Sequence, residues 1–456
     1  MEGMLRSGEV RRWREQLLGA RTPRGGEHAD DAARVELIAD LELIKSAACA
    51  VQAELAVALQ DSVRSREAAA GVPAPRRGRG VYVQVALARH ESPHRGQMLL
   101  GLARDLHTDL GCTRVALREG RLSEYGASLV ARETGCLGRE DRARVDQAVC
   151  GDADLLDGLG TARLTAELRS RVYAADPGAF TRRARHAESE RHVRLRPAPD
   201  TMTYLTALLP VAQGVAAYTA LGRDADGLRA TGAGDRTRGQ VMADLLLQRL
   251  TGQSSAAAVP VSVDLIVSDA TLLGSGVEPA VVPGYGPVPA QVAREMVATS
   301  LDNSDEHAAG VPTLPTWLRR VYTDPSGQLV ALSSRRRFTA DGLADLLRIR
   351  DQGLCRTPWC DAPARHGDHV VTAAHDGPTA AANTQQLCEA CNYAKQALGW
   401  TAHTVPGARH TVETTTPTGH RYRSRAPAPP TPAPGAISTR TPVGVVEVQL
   451  AALLAA

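Results

Sequence analysis

Four of the eight cysteines are paired along the chain, as Cys355-x4-Cys360 and Cys388-x2-Cys391. Two close cysteine pairs a few dozen residues apart have the spacing of a tetrahedral zinc site. A disulfide reading would need an oxidising compartment, and nothing in the sequence points to one. So short a segment cannot hold itself together by core packing alone. A structural Zn2+, worth on the order of 10 kcal/mol of folding free energy, makes such a unit feasible. A Cys2His2 site built from Cys355, Cys360, His366 and His369 is the alternative, and it would leave Cys388 and Cys391 without a partner. The other four, Cys49, Cys112, Cys136 and Cys150, are scattered and read as small buried hydrophobes.

The rest of the composition sets bounds. Of 456 residues, 43% are hydrophobic and 23% charged, which excludes wholesale disorder. At about 150 residues per domain the chain holds roughly three compact units. Aromatic residues are only 3%, so cores must be built from Ala, Leu and Val. Lys45 and Lys395 are the only lysines among 53 basic residues, an arginine bias that carries no mechanism by itself. A net charge of +3 does not advertise nucleic-acid binding, so any basic patch must be local. The charged opening MEGMLRSGEVRRWREQLLG lacks the apolar run of a signal peptide. The most apolar stretch, Leu205 to Leu221, is broken by Pro210 and Gln213 and falls short of the ~20 residues of a bilayer span. A soluble cytoplasmic protein with no membrane partner is expected.

Glu9 to about Thr251 reads as mostly helical, with apolar residues at helical spacing over Ala33–Glu54, Asp200–Leu221 and Gly239–Leu250. Gly71–Gly80 and Gly222–Arg238, rich in Gly, Pro and Arg, punctuate it. From Val259 the β-branched alternation VPVSVDLIV predicts a strand, and VYTDPSGQLVALS at 321–333 predicts a hairpin. The paired cysteines lie within 338–402. After Val405 the chain turns Thr-, Pro- and Ala-rich and is expected to be a flexible tail.

Chemistry concentrates between Cys355 and Trp400. Asp368-His369 leads into Val370-Val371 and is placed at the start of a strand, and His375-Asp376-Gly377-Pro378-Thr379 supplies a turn. A helix is predicted from about Thr384, with Cys388, Cys391, Asn392 and Lys395 at i, i+3, i+4 and i+7 on one face. The run Asp368-His369, Gly377-Pro378-Thr379, Asn383, Leu387-Cys388, Cys391-Asn392 and Lys395 resembles the HNH endonuclease motif in its zinc-stapled ββα-metal form. Three positions depart from the commonest pattern: Asp376 replaces the first turn glycine, Thr384 replaces Leu, and Asn392 replaces His.

A second resemblance covers the N-terminal part. Arg236-Thr237-Arg238-Gly239-Gln240-Val241-Met242-Ala243-Asp244-Leu245-Leu246 is similar to the R-T-x-x-Q-x-x-A-D-A-L signature of domain of unknown function 222, the 13E12 repeat family. Asp200-Thr201-Met202 and Gly120-Arg121-Leu122-Ser123 resemble two further steps of that pattern. Members of that family typically end in an HNH domain.

Together these resemblances imply an α+β chain. A mostly helical domain over 1–335, with strands from about 259, would precede an HNH unit over 336–403 and a tail over 404–456. They imply a metal-dependent endonuclease that hydrolyses DNA phosphodiesters. His369 would be the general base, a task imidazole side chains commonly serve near neutral pH, and Asn383 would brace the loop that aims its ring. Asp368 and Asn392 would hold Mg2+ or Mn2+, and Lys395 would contact phosphate. Cys355, Cys360, Cys388 and Cys391 would be purely structural. His366 and His375 flank the site as solvated residues. Arg335, Arg336, Arg337, Arg348, Arg350 and Arg356, with Arg421, Arg423 and Arg425 further on, are candidates for phosphate contacts. The rival is a non-catalytic, zinc-stabilised nucleic-acid-binding protein.

Overall fold

The computed structural model describes residues 7–19, 31–232, 235–252, 265–273, 276–305, 321–323, 329–332, 340–375 and 377–429. Helices predominate, joined by small antiparallel sheets. By internal contacts the chain groups into two units, one formed by 1–55 with 102–177 and the other by 56–101 with 178–456.

The first unit is a helical bundle. It contains α1 (Ser7–Gly19), the first part of α2 (Asp31–Ala69) and the later part of α4 (Pro93–Thr108); α3 (Val81–Arg89) lies between these two in sequence. α5 (Gly111–Arg118), α6 (Glu124–Thr134), α7 (Arg139–Cys150), α8 (Ala153–Leu156) and α9 (Thr161–Ala175) follow. Leu106, Leu110, Leu117, Val130, Val149, Leu168 and Val172 are its buried aliphatic core, as the scarcity of aromatics requires. The Gly120–Ser123 step proves to be a junction between helices. Gly120 sits at φ +77° against Leu43, where a Cβ would collide, and the Ser123 hydroxyl caps α6 by accepting from the Gly126 N–H. Buried Arg142 bridges Asp105 at 2.8 Å and Asp109 at 3.3 Å.

The second unit includes α3, α10 (Pro177–Ser189), the hairpin β1 (His192–Pro197) with β2 (Thr203–Leu208), α11 (Val211–Ala230) and α12 (Arg238–Thr251). The expected helix over Asp200–Leu221 is therefore corrected. Asp200 and Thr201 take positive φ and make a turn, β2 pairs with β1 in the register Leu195↔Leu205, and Pro210 caps the start of α11. Thr237 and Gln240 form a reciprocal capping box at the start of α12, and Arg236 pairs with Asp244 at 3.0 Å. The R-T-x-x-Q-x-x-A-D run is thus a helix-start lock.

α13 (Asp269–Leu273), the β3 (Ala280–Val282)–β4 (Gly286–Val288) hairpin and α14 (Ala290–Asp305) come next. Of the strand expected from Val259, residues 259–264 lie outside the described residues, and Ile266 makes a single bridge to Val281. The predicted hairpin at 321–333 is present as β5 (Val321–Thr323) paired with β6 (Leu329–Leu332).

The last part is built from α15 (Ala340–Arg350), β7 (His366–His369), β8 (Thr384–Leu387), α16 (Glu389–Lys395), β9 (Thr401–Val405), β10 (Thr411–Thr415) and β11 (Arg421–Arg425). Two expectations are corrected here. Residues 384–387 are a strand paired with β7, and the helix begins at Glu389 with Cys388 as its N-cap. Asp368 and His369 accordingly close a strand instead of opening one. Likewise, the expected tail is folded through 425: β9, β10 and β11 form a sheet in the order β11-β10-β9, with Val412 buried beneath it. Pro406-Gly407 and Pro417-Thr418-Gly419 lie in the two hairpin turns. Residues 430–456 lie outside the described residues. Among the described residues, no helix is long and apolar enough to cross a membrane.

Candidate metal centre and its flanking loop

Cys355, Cys360, Cys388 and Cys391 come together as one buried cluster, their Sγ atoms all within 4.8 Å of one another. Cys360 Sγ lies 3.8 Å from Cys388 Sγ, and all four cysteines are free. A disulfide would bring two sulfurs to about 2.05 Å. Zn–S bonds of about 2.3 Å in a tetrahedron place neighbouring sulfurs about 3.8 Å apart. The cluster can therefore hold a metal ion such as zinc with no side chain moved far. The other three thiols donate toward Cys388 and hold its pKa down, the environment in which a thiolate ligand forms. The metal-ligating group contains neither His366 nor His369, which decides against the Cys2His2 alternative.

Backbone geometry explains why this stretch can close. Between the first two cysteines, Trp359 adopts a positive φ of 58° and the Cys360 N–H bonds back to Thr357, a tight knuckle. The Cys355 N–H donates to Ala362 and the Arg356 N–H to Gln386, which fixes the knuckle against β8. The Trp359 ring stacks on His90 at 4.2 Å. One turn away, Val83 and Leu87 of α3 bury against Ala394 of α16, and Tyr82 Oη donates to the Ala390 carbonyl at 3.2 Å. Burial, together with the nearby sulfurs, pushes the Tyr82 phenol up to about 12. The packing of α3, some 270 residues upstream, against this unit is not foreseen; the apolar run VYVQVALA is the one signal α3 carries.

The loop between β7 and β8 is organised by Asn383. Its side-chain amide donates to the carbonyls of Val371 (3.0 Å) and Pro378 (2.9 Å), and its Oδ1 accepts from the Val371 N–H at 2.9 Å. Asn383 is itself buried. Gly377 sits so close beneath that a Cβ there would run into the Val371 carbonyl and approach the Asn383 amide. Beside this brace, His369 is half-buried, and its Nε2 is 2.9 Å from the hydroxyl of the exposed Thr379. Asp368 Oδ2 lies 2.5 Å from Lys395 Nζ and 3.3 Å from Gln385 Nε2. Lys395 also donates to the His369 carbonyl. Its ammonium is thus engaged inside the unit, where the sequence had placed it on a phosphate. Asn392 is half-buried on α16, its backbone N–H bonded to the Cys388 carbonyl. Among the described residues its side chain makes no hydrogen bond to Asp368 or His369. His375 is exposed and bonds to the Thr372 hydroxyl at 2.8 Å. Thr379 and Gln385, which touch His369 and Asp368, were not foreseen; Gln385 is the β8 partner of Asp368 in register.

Two of the arginines expected on phosphate are instead internal. Arg350 and Arg356 both clamp the carboxylate of Asp351, at 2.9 and 2.8 Å, with the Asp351 side chain fully buried. Arg350 also donates to the carbonyls of Ala381 and Thr384, each at 2.7 Å. Arg356 reaches the Ser424 carbonyl at 3.0 Å and the His410 carbonyl at 3.2 Å. The network ties α15, the cysteine knuckle, the Asn383 loop and the final sheet into one piece. Burial alone would raise the Asp351 carboxyl, but hydrogen bonds and charge from the two guanidinium groups hold it below its ordinary range. His410 is pushed down to about 4 by burial and by both arginines. Arg335, Arg336 and Arg337 lie outside the described residues, and Arg348 approaches Asp345 at 3.9 Å.

The model of one family, described as Domain of unknown function (DUF222), matches residues 43–351. That match stops just before Cys355, so it speaks for the helical part and not for the cysteine cluster. No curated protein and no solved structure matches the chain.

Proposed function

The chain belongs to the DUF222 family, and from that premise we propose that its cysteine-clustered unit is a metal-dependent HNH-type endonuclease cutting DNA phosphodiesters. The observation that carries the reading is the Asn383 brace. A buried amide makes three bonds that shape the loop directly after His369, while four thiols staple the strands and helix around it. The order of one strand, a braced loop, a second strand and a short helix is what the HNH resemblance implies, and it supports the reading.

In this reading His369 takes the proton of an attacking water. In the tautomer in which Nε2–H donates to the Thr379 hydroxyl, that bond fixes the ring and Nδ1 is the nitrogen that accepts the proton. The water oxygen forms the new P–O bond, the P–O3′ bond breaks, and the departing 3′ oxygen takes a proton from solvent, to which the loop is open. Asp368 keeps Oδ1 outside its bonds to Lys395 and Gln385. One carboxylate oxygen with one amide oxygen, from Asn392, suits a hard divalent cation. Such an ion would be Mg2+ or Mn2+ held by Asp368 and Asn392, and it would offset charge on the phosphate. Zinc in the four-thiolate cluster has a separate, structural task, because a closed site leaves no position for water.

The rival keeps the fold and drops the chemistry: a zinc-stabilised module that binds nucleic acid without cutting. Supercoiled plasmid incubated with the protein and Mg2+ or Mn2+, beside the His369→Ala variant, separates the two. Nicking by the parent and not by the variant supports the nuclease. Retention in a gel with no nicking by either supports the rival.

A further inference from the structure

The folded segment 401–425 carries a basic face of its own, outside the loop that holds His369. Strand alternation puts Arg421, Arg423 and Arg425 of β11 on one side, all three exposed. In register with Arg423 stand Glu413 of β10 and, beyond it, His403 of β9. The remaining positions of that side are threonines and Val405. The opposite side carries Val412, Tyr422 and Ser424, which face the cysteine unit: Tyr422 lies edge-on to Trp359, and Ser424 receives Arg356. One side is thus committed to packing; on the other, the three β11 arginines, Thr401 and His403 are exposed, while Glu413 and Thr411 are buried beneath them.

Charge on the free side is unbalanced. Glu413 accepts from Arg423 at 2.7 Å, lies 3.5 Å from Arg421, and has its side chain only 5% exposed beneath them. A single carboxylate offsets one guanidinium of three, and Arg425 has no ion pair among the described residues. Residues two apart on a strand repeat every ~6.8 Å, a pitch close to that of successive phosphates along an extended nucleic-acid strand. Guanidinium forks pair with phosphate oxygens two at a time, and the hydroxyl of exposed Thr401 is a donor of the same kind, whereas that of Thr411 is spent on the Arg409 carbonyl. The near absence of apolar side chains gives a protein partner nothing to bury, whereas backbone recognition of nucleic acid needs none.

We propose that the Arg421/Arg423/Arg425 face of the β9–β11 sheet is a docking surface for the sugar-phosphate backbone of nucleic acid, separate from the cutting loop. It deepens the nuclease reading, and it rests on that reading only for the fate of the docked strand. Because the contacts are to phosphates, binding is independent of base sequence and steeply dependent on salt.

The test is fluorescence anisotropy of the full chain with a labelled oligonucleotide, single-stranded and duplex, with no added divalent cation. Replacing all three arginines by Gln is expected to weaken binding at least about tenfold near 0.1 M salt. It should also make the slope of log K against log salt shallower by about 2 on the single strand and about 2.7 on the duplex, as loss of three phosphate contacts requires. Replacing the three by Lys should retain most of the affinity, and Glu413→Gln should tighten it by freeing Arg423. Unchanged affinity and slope in the triple Gln variant would overturn the proposal, as would no binding by the parent. Poly-glutamate bound as tightly as the oligonucleotide, and lost with the same arginines, would overturn it in favour of an acidic protein partner. A protein that binds through this face and cuts nothing would sink the nuclease reading alone; one that nicks equally well without the arginines would sink the docking face alone.

Discussion

Lys395 Nζ stands 2.5 Å from Asp368 Oδ2, so one of the chain's two lysines fastens α16 to the end of β7. Both side chains are largely buried, at 10% and 14% exposed. Removing one member of such a pair leaves an uncompensated charge out of water. Lys395→Met is therefore expected to lower stability by about 1–3 kcal/mol, less than for a fully buried pair. Under the nuclease reading the bared carboxylate also binds a divalent cation more readily. Added Mn2+ should raise the Tm of Lys395→Met more than that of the parent. Equal shifts would mean that Asp368 is not a cation ligand.

Asn383 supplies two donors and one acceptor to the backbone of Val371 and Pro378. Truncation to Ala should cost about 2–3 kcal/mol, the range for leaving buried polar groups unpaired. The exchange protection of the Val371 amide should fall with it. Asn383→Asp should not rescue the loop, because a carboxylate cannot donate to the Val371 and Pro378 carbonyls.

Acid should loosen this unit through His410. Its folded pKa is depressed to about 4 from an ordinary 6.5, so the unfolded chain binds the extra proton first as pH falls. The neutral ring's contribution to stability is full above about pH 6.5 and is lost progressively between there and about 4. Asp351, held low by Arg350 and Arg356, contributes above the ordinary carboxylate range and is lost only at still lower pH. His410→Gln keeps a donor for the Ala382 carbonyl and cannot titrate. Urea midpoints measured from pH 7.5 to 4.5 should fall less for His410→Gln than for the parent.

Stripping the metal should release the knuckle and its neighbours together. A strong chelator, or Cys388→Ser, is expected to unfold the segment around 355–425 and shift the fluorescence of Trp359, which stacks on His90 at 4.2 Å. Metal analysis should find one zinc per chain in the parent. Loss of zinc with an unchanged Trp359 signal would show that the cluster does not hold the fold.

The part of the fold legible in the sequence is the part written in short-range chemistry. The four cysteines read as one cluster because metal-ligand spacing is a local signal, and their sulfurs do converge. Helices α2 and α12 are legible from periodicity; α12 sits where it places it, whereas α2 starts as expected and runs on past Glu54 to Ala69. The segment at Asp200–Leu221 misled because short apolar runs do not separate strand from helix, and two positive-φ residues decided the matter. Arg350 and Arg356 looked like solvent-facing cations because their partner, Asp351, becomes a buried acceptor only once α15 and the knuckle meet. The sheet at 401–425 was hidden by its Thr- and Pro-rich composition, although the alternation R-Y-R-S-R was there to be read. Long-range partners such as Tyr82 and Ala390 leave no trace in linear spacing.

The central claim is that the imidazole of His369 removes a proton during phosphodiester cleavage. Its most direct test is the single-turnover rate of cutting an end-labelled DNA by zinc-loaded parent and zinc-loaded His369→Ala, in saturating Mg2+ or Mn2+. The account predicts a fall of at least about 100-fold, the usual worth of a general base, with zinc content and folding unchanged. Equal rates in the two proteins, or no cutting by the parent in either metal, would contradict it.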